Sequence, residues 1–326
     1  MKPAEFKFST GLRKCVCPLF CVLALGAARE FELRVQVLPK GLSSVSVHGS
    51  TTPFSFFGQT DFSGRIRVRG LSAGPYTVTA VSRDGAEARQ TVQVSPSLAD
   101  NKRRVHVTIE TAHPESGLSE ASRRKALVSA RELSIPERAR QEYAEAQRRL
   151  GRRDVNGAIQ HLKRAVEAAP QFVAAWNNLG TIAYQSREFG QAAGYFEEAL
   201  KHDPDAYEPL VNLGGTLLSL ERPQDALPLN RRAVEMRPGD ALANVQLGMN
   251  YLRLGNFDPA EKYLKAAKKL DPAHFSNPQL LLAELYARRG EARRAADELE
   301  DFLRHNPDWP EAAKLRGAIA KLRGGS

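Results

Sequence analysis

Val173-Ala-Ala-Trp176-Asn-Asn-Leu-Gly180-Thr-Ile-Ala-Tyr184, followed after a short turn by Gln191-Ala-Ala-Gly-Tyr195-Phe-Glu-Glu-Ala-Leu200-Lys-His-Asp-Pro204, decides the fold of this chain. Apolar and small residues recur at three- and four-residue spacing in both halves, which puts them on one stripe of each of two amphipathic helices. Gly180 and Ala192 are small enough to let the two helices approach closely. Neither helix can bury its stripe alone, so the unit must stack on similar units. The same register returns along the chain. Ala192 has counterparts at Ala158, Ala226, Ala260 and Ala295, and Pro204 at Pro170, Pro238, Pro272 and Pro307. Gly180 is matched by Ala146, Gly214, Gly248 and Ala283. The step is 34 residues three times and then 35, the extra residue falling in Ala273–Asn277. A fixed period of this size predicts a solenoid of helix pairs. Five repeats run from about Ala139 to Pro307. Pro310 to Leu322 reads as one more helix, a cap with Glu311, Lys314, Arg316, Lys321 and Arg323 providing a polar face around Leu315, Ile319 and Leu322.

Trp176, Leu179, Gly180, Ala192, Phe196, Ala199 and Pro204 fill, in order, the pattern of the tetratricopeptide repeat, and the region resembles that family closely. The resemblance implies an all-α superhelix with a concave groove for a peptide or protein segment. Two positions depart from the pattern. Glu142 stands where the first repeat should carry a bulky residue. Pro228 falls inside the second helix of the third repeat, where it removes a hydrogen bond and is expected to kink the helix.

The rest of the chain reads differently. Residues 1–28 look like a secretory signal: Lys2, Lys7, Arg13 and Lys14 precede a short apolar core from Cys15 to Leu25, then Gly26-Ala27-Ala28 for cleavage. That core is short for a membrane span, which takes about 20 residues; the alternative to cleavage is an uncleaved anchor. All three cysteines lie within it, so a cleaved chain has no disulfide, thiol catalysis or cysteine metal site. From 29 to 111 the period changes to two. Phe31–Leu38, Arg65–Arg69, Tyr76–Val81, Thr91–Val94 and Arg104–Ile109 read as strands, with weaker ones at Ser44–His48 and Phe54–Phe57. Gly and Pro mark the turns, which predicts a small antiparallel sandwich. Thr60-Asp61-x-x-Gly64-x-Ile66-x-Val68-x-x-Leu71-x-x-Gly74-x-Tyr76 resembles the carboxypeptidase regulatory-like domain, a prealbumin-type sandwich. That resemblance implies a structural, adhesive or carbohydrate-contacting role and no catalysis. A connector, 112–135, carries Arg123-Arg124-Lys125, and 136–326 is the solenoid with its cap. The fold class is therefore multidomain: a prealbumin-like all-β sandwich, then an all-α superhelix.

The sequence offers little chemistry. The seven histidines form no metal-ligand spacing, and there is no Gly-rich phosphate loop and no Gly-x-Ser-x-Gly elbow. No cofactor or metal is called for, and the chain reads as a non-enzyme. The net charge of +10 suits either anionic partners or solvated arginine-rich helix faces. The functional signal lies on the concave side of the first helix of each repeat. There the second repeat presents Asn177, Asn178, Thr181, Tyr184 and Gln185. The third presents Val211, Asn212, Gly215 and Leu218, and the fourth Val245, Gln246, Met249, Leu252 and Arg253. One position reads Asn178, Asn212, Gln246. Side-chain amides carry both donor and acceptor, so a row of them can pair with an extended backbone whatever its side chains. This is similar to the asparagine ladder of some peptide-binding members of the family; the alternative is a row that merely solvates the groove. The basic carboxylate clamp of chaperone-tail binders is not matched. The leading reading is an exported protein–protein scaffold of the cell envelope, periplasmic or secreted. The runner-up is binding of an envelope polysaccharide or anionic polymer through the sandwich and the basic connector. Nucleic acid is not the expected partner, and membrane contact is expected only through an uncleaved signal.

Overall fold

The computed structural model describes residues 30–111 and 134–324. The predicted signal and the basic run of the connector lie outside the described residues.

Among the described residues seven strands come first: β1 Phe31–Leu38, β2 Ser43–Gly49, β3 Ser55–Gln59, β4 Arg65–Leu71, β5 Gly74–Ser82, β6 Glu87–Val94 and β7 Arg104–Glu110. They form a three-stranded sheet, β4-β1-β7, and a four-stranded sheet, β3-β2-β5-β6. Alternation sets the faces. Phe31, Leu33, Val35 and Val37 of β1 pack with Val45, Val47, Tyr76, Val78, Ala80 and Val92 of the other sheet in one apolar core. One pairing departs from the antiparallel expectation: β1 and β7 run parallel, Leu33 opposite Val105 and Val37 opposite Ile109. They are the first and last strands, so the intervening domain itself makes the long crossover a parallel pair requires. The Thr60-to-Tyr76 motif is a set of turn fastenings. The Asp61 Oδ1 accepts from the amides of Ser63 and Arg65, each at 2.9 Å. Gly64 sits at φ +77°. The Tyr76 hydroxyl donates to the carbonyl of Ser72 at 3.2 Å and accepts from its amide at 3.1 Å.

Eleven helices follow among the described residues. Five pairs are α1 Glu137–Gly151 and α2 Val155–Ala168, α3 Val173–Gln185 and α4 Phe189–His202, α5 Tyr207–Ser219 and α6 Pro223–Met236, α7 Ala241–Arg253 and α8 Phe257–Leu270, α9 Pro278–Arg288 and α10 Ala292–His305; α11, Ala312–Gly324, closes the stack. Ile135, placed by the sequence pattern at the end of the connector, is buried against Ala139 and Ala169 and belongs to the solenoid.

Each pair turns at a residue with positive φ: Arg153 (61°), Arg187 (65°), Glu221 (57°), Gly255 (78°) and Gly290 (78°). These positions share the repeat register, although only the last two carry the residue best suited to that conformation. A second regularity explains the tryptophan position. The Trp176 Nε1 donates to the carbonyl of Pro170 at 2.8 Å, Asn244 Nδ2 to that of Pro238 at 2.9 Å, and Gln279 Nε2 to that of Pro272 at 2.6 Å. In these three repeats a side-chain N–H ties the first helix to the end of the preceding repeat; the third repeat has Leu210 at this position. Gln279 is fully buried, so Gln279→Met should leave the Pro272 carbonyl without its donor. A loss of about 1–3 kcal/mol in chemical denaturation is expected; unchanged stability would show that the bond contributes nothing. In the first repeat, Glu142 instead accepts from the His161 Nδ1 at 2.6 Å, bracing α1 on α2.

Pro228 does not interrupt α6, which continues from Pro223 to Met236. It lies just beyond the first turn, so the helix loses only the bond to the carbonyl of Gln224. The extra residue of the fourth step lengthens the loop between α8 and α9. There Asn277 takes φ 50° ahead of Pro278.

Candidate functional site

The nine residues singled out for the groove, Asn177, Asn178, Thr181, Tyr184, Val211, Asn212, Gln246, Met249 and Arg253, line two adjoining cavities of about 270 and 180 Å³ on the concave face of α3, α5 and α7. Thr181 and Asn212 line both. Val245 and Leu252 do not belong there: both are buried in the core with Leu281, Leu285 and Tyr286. α7 is packed on both sides by neighbouring helices, so its buried arc is wider than one stripe.

The amide row is not a stack of mutually bonded side chains. Hydrogen bonds between successive first helices run along a diagonal. Asn178 Nδ2 donates to the Tyr143 hydroxyl at 3.2 Å, Asn212 Nδ2 donates to Asn177 Oδ1 at 2.9 Å, and the Tyr184 and Ser219 hydroxyls pair at 3.2 Å. These bonds fix the side chains. They leave each amide with part of its capacity for a ligand, since an Asn amide has two donors and two acceptor positions. Gln246 is nearly buried, and it fills the space that a side chain at Gly215 would take.

The second wall of the larger cavity is the β domain. His48, Gly49, Ser50, Pro53, Phe54, Ser55, Thr77, Thr79 and Arg89 face the helices across it. Contacts between the two domains extend along the whole solenoid. The Arg153 guanidinium donates to the carbonyl of Gly70. Gln185 Nε2 donates to that of Gly49 at 3.1 Å. Arg89 pairs with Asp240 at 3.3 Å. The amide of Thr91 donates to the Asp271 carboxylate at 3.0 Å, and that of Ser97 to Asp308 at 3.2 Å.

The buried ionisable groups respond to this enclosure. Burial, with Arg89 adding to it, pushes the His48 imidazole down to about 4. Burial likewise takes His274 down to about 3, although Asp240 opposes it. Burial raises the Asp271 carboxyl above its ordinary value despite the hydrogen bonds from Thr91. Arg253 is exposed at the rim of the smaller cavity. Among the described residues no group of His, Cys, Asp and Glu is placed to hold a metal ion. No helix among them is long and apolar enough to cross a membrane. The sandwich residues of this site, and Phe275 in the lengthened loop, escape a sequence reading centred on the repeats. Their only signals are the Ser/Thr-rich outer face of one sheet and the single break in the 34-residue step.

Tetratricopeptide repeat models match residues 143–193, 179–241 and 217–279. The helical half is thus a tetratricopeptide-repeat superhelix. Its fold is shared with the crystal structure of PilW, a widely conserved type IV pilus biogenesis factor. That likeness has a TM-score of 0.53 and 22% identity, and it covers 59% of this chain and 88% of the other. Among curated relatives, the chain is 29% identical over 115 residues to Protein STIP1 homolog of Dictyostelium discoideum, covering 35% of this chain and 20% of that protein. It is 31% identical over 166 residues to Anaphase-promoting complex subunit 6 of Arabidopsis thaliana, covering 48% and 30% respectively. The chain thus spans under a third of the length of either. Tetratricopeptide-repeat proteins mediate protein–protein interaction.

Proposed function

We propose that this chain is a non-enzymatic interaction scaffold, exported to the cell envelope, whose concave groove binds an extended peptide or protein segment. The observation that carries the reading is the convergence of Asn177, Asn178, Thr181 and Asn212 on a cavity at the centre of the concave face. Amides held by neighbouring helices can bond a peptide backbone with little further ordering, and preorganisation of this kind favours affinity. Export is supported by the basic-then-apolar start of the sequence, Lys2 to Ala28. A carboxypeptidase regulatory-like, prealbumin-type assignment for the β domain is supported by the roles of Asp61, Gly64 and Tyr76 in its turns. That domain serves here as a structural partner of the groove, and polysaccharide binding ranks second because one of its sheets faces the helices.

The test is the double variant Asn178→Ala with Asn212→Ala. Each lost hydrogen bond is worth about 0.5–1.5 kcal/mol, so captured peptides should bind roughly 5- to 150-fold more weakly while circular dichroism is unchanged. Retained affinity would remove the amides from the account.

A further inference from the structure

The four-stranded sheet turns a polar face outward, and the solenoid covers it. Ser55, His48, Thr77 and Thr91 lie side by side across β3, β2, β5 and β6, each directly opposite the next; Phe57, which stays exposed, Ser46, Thr79 and Arg89 form the neighbouring row. On a solvated sandwich such a face meets water. Here Ser55, Thr77 and Thr91 retain only 5%, 8% and 3% of their exposure. β6 is also an edge strand, and its outward Thr91 amide is satisfied by Asp271, a residue of the solenoid.

We propose that this sheet face is the internal ligand of the solenoid: it closes the concave groove, and an extended peptide enters by displacing it. The proposal rests on the groove reading above and adds its regulation. Three features carry it. First, Gln185 bonds the backbone carbonyl of Gly49 at the end of β2, the kind of contact an extended peptide would offer. Second, the apolar cores do not cross the boundary. One cluster contains only sandwich residues, and the others contain only residues from Ile135 onward. Separation therefore exposes polar groups that water can satisfy and leaves both cores intact. Third, the β domain walls the larger cavity along His48–Ser50, Pro53–Ser55, Thr77, Thr79 and Arg89, and Ser50 reaches the smaller one as well, so the sheet stands across the groove. A peptide of several residues needs the sheet to move.

The experiment locks the two faces together. Ser97 and Asp308 are in side-chain contact, so Ser97→Cys with Asp308→Cys can be oxidised to a disulfide in the full chain, with Cys15, Cys17 and Cys21 changed to serine. The probe is a phage-displayed library of random dodecapeptides, panned against the oxidised chain, the reduced chain, and an opened chain carrying Asp240→Ala and Asp271→Ala. The expected result is a disulfide within one chain, peptides enriched on the reduced and opened forms, and affinity at least about ten-fold weaker on the oxidised form. Equal affinity on oxidised and reduced chains overturns the proposal while leaving the groove reading in place. Enrichment on none of the three forms removes the groove reading and the proposal with it.

Discussion

Phe196→Ala is expected to lower the stability of the solenoid by about 3–5 kcal/mol, the usual loss for a buried phenylalanine. Phe196 is 1% exposed and packs with Ala183, Ala192, Leu213 and Leu217, so it joins the second repeat to the third. Its ring lies over the backbone of α3 at Gly180, where an added Cβ would come within 2.5 Å of the ring. The converse change, Gly180→Ala, should therefore also destabilise. Alanine favours a helix by about 1 kcal/mol over glycine, but overpacking a filled core costs about 1–3 kcal/mol. Gly194 is the control. It is exposed on α4, and an added Cβ there would meet nothing within 4 Å. Gly194→Ala should gain up to about 1 kcal/mol. Urea midpoints of the three variants check the account, and a Gly180→Ala midpoint at or above that of the parent would contradict it.

Acidification should weaken the contact between the two domains. His48 is held neutral by burial and by Arg89, with its pKa pushed down to about 4 from an ordinary 6.5. Between those values the separated form binds more protons than the docked form. The contribution is therefore fully present above pH 6.5 and falls as pH drops toward 4. The shift corresponds to about 3 kcal/mol at the acid end. His274 has the same sign and extends the window to about pH 3. Asp271 has the opposite sign: its raised pKa makes the docked form take up a proton first, near the ordinary carboxylate range, which offsets part of the loss. Arg89, Asp240 and Tyr207 face the same enclosure. The expected observation is a melting temperature that falls between pH 6.5 and 4.5, and falls less in His48→Gln. Equal falls in both proteins would remove His48 from the coupling.

The helical half was legible because its signal is redundant. Ala158 through Ala295 and Pro170 through Pro307 repeat one register, and a stripe that must stack leaves few architectures. The placing of nine residues along the two cavities followed from helix periodicity alone. Val245 and Leu252 did not, because the width of a buried arc depends on how many neighbours a helix has. The parallel pairing of β1 with β7 was hidden for a related reason. Alternation gives the faces of a strand and says nothing of its partner. Least legible was the docking of the sheet. Thr77, Thr79, Thr91 and Ser55 are polar at outward positions, the pattern a solvated face also shows. What covers them is a surface about a hundred or more residues away, which no local period encodes.

Hydrogen exchange at the amide of Thr91 tests the central claim most directly. On β6 this N–H points away from β5, and its partner is the Asp271 carboxylate of the solenoid. Edge amides without a partner exchange rapidly. The expected result is clear protection of Thr91 in the full chain, lost in Asp271→Ala while the amides paired between β2 and β5 stay protected. Exchange of Thr91 at the rate of an open edge in the parent chain would contradict the docked arrangement, and with it the closed groove.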